Sequence, residues 1–421
     1  MLVEDVNLLR IQPDDNFNPY KIKVFLRGVQ IKNSNITSLK IKESIFAVLP
    51  VIELSFTDDG HFSDVFPLGD EDEIRVEIST HKDLEGIKVS FTTQDYSIIP
   101  DSVETLTCYY ISITGFLKND YMLFPSISQA FSRATSSDVL SQLFEDAGFK
   151  VTNPIQTNDK MTWIQSNMNS LDMVNHVVDY AYVTDRNMVF ACVDKNNNAY
   201  IRDLTSEIIK PKTIDIIKSV DPQKLYYSQI QKENKITELG YNYYRFGFHP
   251  GFNNKTGGYG MRGYRYDYDK DKIYNVKMND DIHPMTDYSL KNKDNMALKT
   301  FSDAEHFPMK YKGSNFHENY FKAYLQNKYL RKTFFSDILI VNSFFNDEVK
   351  LFDKVNINIV SLAHTPAKKL EMNKVYSGDY LVVGIINQIT DGGNYKSNLF
   401  LSRGGINQSY FINKTEMNLN A

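Results

Sequence analysis

The chain has 421 residues, 42% hydrophobic and 24% charged, the proportions of an ordinary folded protein, so intrinsic disorder is excluded and two to four domains of roughly 150 residues each are expected. Its net charge of −5 argues against avid binding to a phosphate backbone, which needs a basic face. No apolar run approaches the roughly 18 residues that cross a bilayer, which excludes a helical membrane span.

Residues 1–120 read as β. Ile52, Leu54 and Phe56 alternate with Glu53 and Ser55, and Asp58-Asp59-Gly60 supplies a turn. Ile74, Val76 and Ile78 alternate with Arg75, Glu77 and Ser79; Ile87, Val89 and Phe91 repeat the pattern, and a last strand covers Leu106 to Ile113. Period-two alternation of this kind marks a sheet with one buried face.

Residues 121–205 change to a small α/β pattern. Val139, Leu140, Leu143, Phe144 and Ala147 share a helical stripe that Ser136 or Ser137 can cap and Gly148 can end. After Trp163, the only tryptophan, Leu171, Val174, Val178 and Ala181 form a second helical face, with Asn169 or Ser170 as its cap. Met188–Val193 and Ala199–Leu204 read as two strands around Asn196-Asn197-Asn198.

Residues 241–333 form a Tyr- and Gly-rich insertion of long loops and short strands, ending in a helix from about Asn315 to Thr333. Loops of this length in a folded protein are commonly functional. Residues 206–240 and 334–410 return to β, with Ile338 and Ile340, then Val355, Ile357 and Ile359, then the strand beginning Ser377-Gly378-Asp379-Tyr380-Leu381-Val382-Val383. Asp391-Gly392-Gly393-Asn394 is a hairpin signal, and Leu399 and Leu401 lie on the return strand. The fold class is α+β, mainly β.

The two β regions resemble one another. Glu73–Ile78 matches Lys354–Ile359 in pattern, and Asp95-Tyr96-Ser97-Ile98-Ile99 is paralleled by Asp379-Tyr380-Leu381-Val382-Val383. Either one fold occurs twice in the chain, or two antiparallel sheets merely share alternation. A true repeat would let three copies of the chain present six similar units.

Chemistry is sparse. Cys108 and Cys192 sit singly in apolar runs and read as small hydrophobes. The eight histidines are scattered without zinc-protease spacing. Gly257-Gly258-Tyr259-Gly260 lacks the Lys-Ser/Thr of a phosphate loop, and Asp70-Glu71-Asp72-Glu73 lacks the ligand spacing of a calcium loop, so a solvated turn is expected there. No nucleophile elbow occurs, and no catalytic, cofactor or metal site is expected. Tyrosines anchor interfaces, or stack on sugars. One alternative reading is therefore a carbohydrate- or receptor-binding β protein using Tyr259, Tyr264, Tyr266 and Tyr268, with a glycoside hydrolase a more distant one.

The order of parts resembles the baseplate hub protein of contractile-tailed, T-even-like phages. The same hub fold forms the N-terminal part of type VI secretion spike proteins and occurs in late control proteins of temperate phages. The resemblance is carried by Ser136 to Leu204, with Trp163, the helix ending in Tyr180-Ala181 and the hairpin opening Met188-Val189-Phe190. It is carried again by Lys354 to Gly405, through Ser377–Val382 and Gly392-Gly393-Asn394-Tyr395. The Tyr-rich insertion departs from that pattern. The resemblance implies two tube-like β domains per chain and a non-enzymatic homotrimer whose ring joins the hexameric tail tube to a trimeric central spike. It further implies a location in the virion's tail baseplate and contacts with other baseplate proteins, and with the tape measure protein and DNA in a channel. A mildly acidic ring could line such a channel without sticking to DNA. The hub of a non-contractile tail is the nearest variant of this reading.

Interface residues expected on these grounds are Tyr259, Tyr264, Tyr266, Tyr380, Asn394 and Tyr395. The N-terminus, Met1-Leu2-Val3-Glu4-Asp5, lacks the pattern of a secretory signal, so assembly in the host cytoplasm without membrane insertion is expected. The short stretch after the second β region leaves no room for a fused spike, so the spike is expected to be a separate chain.

Overall fold

The computed structural model describes residues 20–59, 62–65, 67–69, 71–80, 87–100, 108–185, 187–209, 214–217, 236–237, 242–247, 261–267, 270–278, 303–306, 316–334, 337–344, 349–358, 378–390 and 394–403. The sequence signals at Gly60, Gly257–Gly260, Tyr268, Ile359, Ser377 and Asp391–Gly393 fall outside these residues.

The chain is mainly β with a smaller helical part. The first sheet contains β1 (Tyr20–Leu26), β2 (Val29–Ile31), β3 (Ile36–Ser44), β4 (Val51–Asp58), β5 (Glu73–Thr80), β6 (Ile87–Pro100) and β7 (Tyr109–Leu117). Its spatial order is β2-β1-β5-β6-β7-β4-β3. Short helices α1 (Phe62–Val65) and α2 (Asp120–Leu123) flank it. Alternation places Leu39, Ile41, Ile52, Leu54, Ile74, Val76, Ile111 and Ile113 on one buried face. Each such side chain, fully buried, contributes about 1.5–3 kcal/mol relative to exposure.

The middle segment contains β8 (Ile127–Ala134), α3 (Ser136–Asp146), β9 (Lys150–Thr152), β10 (Met161–Met168), α4 (Ser170–Tyr180), β11 (Val189–Val193), β12 (Asn198–Asp203) and α5 (Leu204–Ile209). β8 and β10 pair antiparallel; β12 lies between β11 and β9. The α3 cap is Thr135, not Ser136 or Ser137, in a capping box with Asp138. Ser136 and Ser137 are instead buried in the first turn, where the Ser136 hydroxyl and the Ser137 amide donate to the Thr157 hydroxyl. Gly148 follows α3 at φ +80, the left-handed position expected of it. Asn169 caps α4 through the Asp172 amide.

The remainder supplies β13 (Ile214–Ile217), β14 (Ile236–Thr237), β15 (Asn242–Gly247), β16 (Met261–Asp267), β17 (Lys272–Met278), β18 (Asp303–His306), α6 (Tyr320–Phe334), β19 (Asp337–Phe344), β20 (Lys354–Asn358), β21 (Gly378–Thr390) and β22 (Asn394–Arg403). β16 pairs with β17 and β18 in a separate small sheet. The others form a second sheet in the order β14-β13-β20-β21-β22-β19-β15.

The second order reproduces the first. In chain order β1 to β7 correspond to β13, β14, β15, β19, β20, β21 and β22, and neighbours in one sheet are neighbours in the other. The likeness extends to a β-bulge: the β6·β7 register slips between Thr93 and Asp95, and the β21·β22 register slips between Val382 and Gly384. Aligning the bulges makes Phe91 equivalent to Tyr380. These two face Ile74 and Val355, so the Glu73–Ile78 and Lys354–Ile359 match read from the sequence coincides with the structural one. The Asp-Tyr match does not: Asp95 corresponds to Gly384, not Asp379. Period-two alternation sets which face a residue occupies but not its distance along a strand. The copies also differ at one edge, where β1 pairs antiparallel with β5 and β2, while β13 pairs parallel with β20 and β14.

Candidate assembly surfaces

The two sheets join inside the chain. The first half of β21 pairs with β20, and beyond the bulge its second half, Gly384–Thr390, pairs antiparallel with Ser38–Ser44 of β3. Gly384 sits where β21 changes partner; a Cβ there would stand 3.4 Å from the Glu43 carbonyl oxygen and 3.5 Å from Phe400.

A buried ion pair sits against this junction. Glu43 on β3 accepts from the Lys195 amide at 2.7 Å, and its other oxygen lies 3.5 Å from Lys195 Nζ. Both side chains are buried. Burial raises the Glu43 pKa, opposed by the Lys195 cation. Lys195 belongs to the β11–β12 turn, which Asp194 holds by accepting from the amides of Asn196 and Asn198 and from the Tyr200 hydroxyl. The Val193 amide also donates to the Val48 carbonyl at 2.8 Å. The middle segment is thus fixed to the first sheet beside its seam with the second.

α6 packs on α4. Tyr180 stacks on Tyr320 and Tyr324, with ring centroids 4.1 and 5.0 Å apart. Asn327 is buried and its amide donates to the carbonyls of Val178, Asp179 and Ala181 at 3.2, 3.0 and 3.0 Å. These lie where α4 ends and its carbonyls lack intrahelical partners. Gln326 donates to the Thr184 and Asn187 carbonyls, each at 2.7 Å. His317 lies among Trp163, Tyr182 and Tyr320. Burial lowers the pKa of both His317 and His176.

The corresponding half of β6 is bare. Asp95–Pro100 pair with β7 on one side, and among the described residues no strand lies on the other. Tyr96, Ile98 and Ile99 are 37%, 38% and 56% exposed. The counterparts of Tyr96 and Ile98, Ile385 and Asn387 on β21, covered by β3, are 4% and 3% exposed. A long apolar strand with an open edge is an association site unless covered. The sequence reading picked out Asp95–Ile99 as a repeat motif but not as an open edge, because alternation sets which face a residue occupies and not which strand lies beside it.

The residues expected at interfaces are dispersed. Tyr259 lies outside the described residues. Tyr264 and Tyr266 lie on β16, and the Tyr266 hydroxyl donates to Asp271. Tyr380 is 2% exposed, with the Arg403 guanidinium 4.6 Å from its ring centroid. Asn394 and Tyr395 open β22, opposite Thr390 and Ile389. In the acidic run, Asp72 pairs with Arg27 at 2.9 Å, and Glu73 pairs with Lys118 at 2.7 Å and accepts from Ser90. Among the described residues no acid, histidine and cysteine cluster could hold a metal, and no helix is long and apolar enough to cross a membrane.

This architecture is similar to solved tail proteins. The tail protein from Neisseria meningitidis MC58 is 8% identical and superposes with a TM-score of 0.52 over 92% of this chain and 97% of that one. The 43 kDa tail protein of prophage MuSo2 from Shewanella oneidensis is 12% identical, with a TM-score of 0.51 over 92% of this chain and 100% of that one. No protein-family model matches the sequence, and no curated protein matches it. The chain therefore has a phage tail protein fold.

Proposed function

We propose that this chain is the structural baseplate hub of a phage tail, a homotrimeric ring that adapts a hexameric tail tube to a trimeric central spike and forms part of the channel through which DNA passes. The observation that carries the reading is the sheet built twice, with one strand order and one bulge position, in a chain with the fold of tail proteins. Three chains would present six such sheets, which matches a sixfold partner on one side and a threefold one on the other. The two tube-like domains are assigned to residues 1–120 and to 206–240 with 334–410, the boundary at 240 being moved to Gly247. The latter includes β15, which pairs with β19. Residues 121–205 form the α/β domain between them, and the insertion then follows Gly247.

In this reading the protein has no catalytic role and acts by resisting axial load within the virion's tail baseplate. Its partners are the tube protein, a separate spike chain and other baseplate proteins, with the tape measure protein and DNA in the channel; assembly takes place in the host cytoplasm. Light scattering of the chain with its spike partner tests the stoichiometry. A complex holding three hub chains is expected; a single hub chain per complex would refute the ring.

A further inference from the structure

The two sheets meet once within the chain, through the second half of β21 and the free edge of β3. By the repeat, β21 corresponds to β6 and β3 corresponds to β15. The second half of β6 is the bare apolar edge, and β15 pairs only with β19 among the described residues. Among the described residues each chain thus carries one satisfied junction and two unpaired edges that correspond to the halves of another.

We propose that Asp95–Pro100 of β6 is the docking edge for β15 of a second copy of this chain, in the same antiparallel register as the internal junction. That register is fixed by the observed one. In the internal junction Ile385, Ile386, Asn387, Gln388 and Ile389 face Glu43, Lys42, Ile41, Lys40 and Leu39. Replacing each residue by its counterpart sets Tyr96, Ser97, Ile98, Ile99 and Pro100 opposite Gly247, Phe246, Arg245, Tyr244 and Tyr243 of the next copy. The contact joins two different edges, so it is heterologous and propagates around a ring instead of closing on itself as a twofold pair. Pro100, which has no amide hydrogen, ends the strand at the far limit of the pairing. The copy number of the ring rests on the hub reading above; the pairing of edges rests on the repeat.

The test uses the full-length chain carrying Cys108→Ser, which removes the partly exposed native thiol near Pro100. Opposite residues in an antiparallel pair lie about 4.5–5.5 Å apart, within disulfide reach, while a position two residues further on lies about 7–8 Å away, at its limit. Mild oxidation of concentrated protein with Ser97→Cys and Phe246→Cys is expected to link most chains into covalent oligomers. Ser97→Cys with Tyr244→Cys is expected to link several-fold less. In a chain with only native cysteines, Ile99→Lys at the exposed edge is expected to abolish association while leaving circular dichroism unchanged. Three-copy particles that show no preference for the in-register pair and tolerate Ile99→Lys would overturn the edge pairing and leave the trimeric hub intact. A concentrated chain that scatters as a single copy, with no linking of either pair, would overturn the edge pairing and remove support for the ring.

Discussion

Asn327 holds three carbonyls at the end of α4, and its replacement separates two effects. Asn327→Ala strands buried acceptors and is expected to cost about 2 kcal/mol in urea denaturation. Asn327→Asp puts a carboxylate against those same oxygens and should cost more; an Asp variant as stable as wild type would rule out the capping role. The Glu43–Lys195 pair behaves differently because both members are buried. Glu43→Ala is expected to destabilise by about 3 kcal/mol, since it removes the carboxylate that faces a buried cation, whereas Glu43→Leu combined with Lys195→Met should recover most of that loss. If the double variant is no better than the single one, the pair carries a favourable energy of its own.

His176 and His317 set the pH response of the α4–α6 contact. Burial lowers both pKa values below the ordinary 6.5, against the pull of Asp179 on His176 and of Asp159 on His317. The unfolded chain therefore takes up protons first as pH falls, and stability present at pH above 6.5 is lost as pH drops below it. Denaturation midpoints are expected to decline between about pH 7 and pH 5.5, and replacing both histidines by glutamine should flatten that decline. An unchanged slope in the double variant would assign the effect elsewhere.

At the scale of elements, the sequence was legible wherever one face of a strand is buried and the other wet. Ile74 and Val76, and Val355 and Ile357, announce two equivalent strands because their alternation mirrors a real difference in environment. The helices were legible for the same reason, although the α3 cap moved to Thr135 because Ser136 and Ser137 are turned into a buried network with Thr157. The second half of β6 was legible as the motif Asp95–Ile99 but not as an open edge, since alternation records the two faces of a strand and not whether a neighbour pairs beside it. The hydrogen bonds from Asn327 to the end of α4 and from Gln326 to the Thr184 and Asn187 carbonyls were likewise invisible, since they join residues far apart in sequence. Gly115 adds a smaller test of the β6 bulge. A Cβ there would lie 2.5 Å from the Thr92 carbonyl oxygen, so Gly115→Ala should destabilise the first sheet by about 1–3 kcal/mol in thermal denaturation. A neutral outcome would mean that the bulge relaxes freely.

For the whole molecule, the informative feature is the redundancy of its two sheets. A chain needing only stability has no use for the same seven-strand order twice, with the middle segment fixed beside the seam. In the proposed ring each sheet meets the next through one kind of strand pairing, alternately within and between chains, so a closed ring would cover the apolar β6 edge that a single chain exposes. The interface residues read from the sequence fit that ring unevenly: Tyr380 is used up inside its own sheet, while Tyr264 and Tyr266 lie on the separate small sheet of the insertion.

Electron microscopy of the purified assembly, averaged without imposed symmetry, addresses the pseudo-sixfold ring most directly. Particles of three-copy mass should show an annulus of six similar lobes around a central channel. Three unlike lobes with the two sheets of each chain at different radii, or particles of single-chain mass, would contradict it.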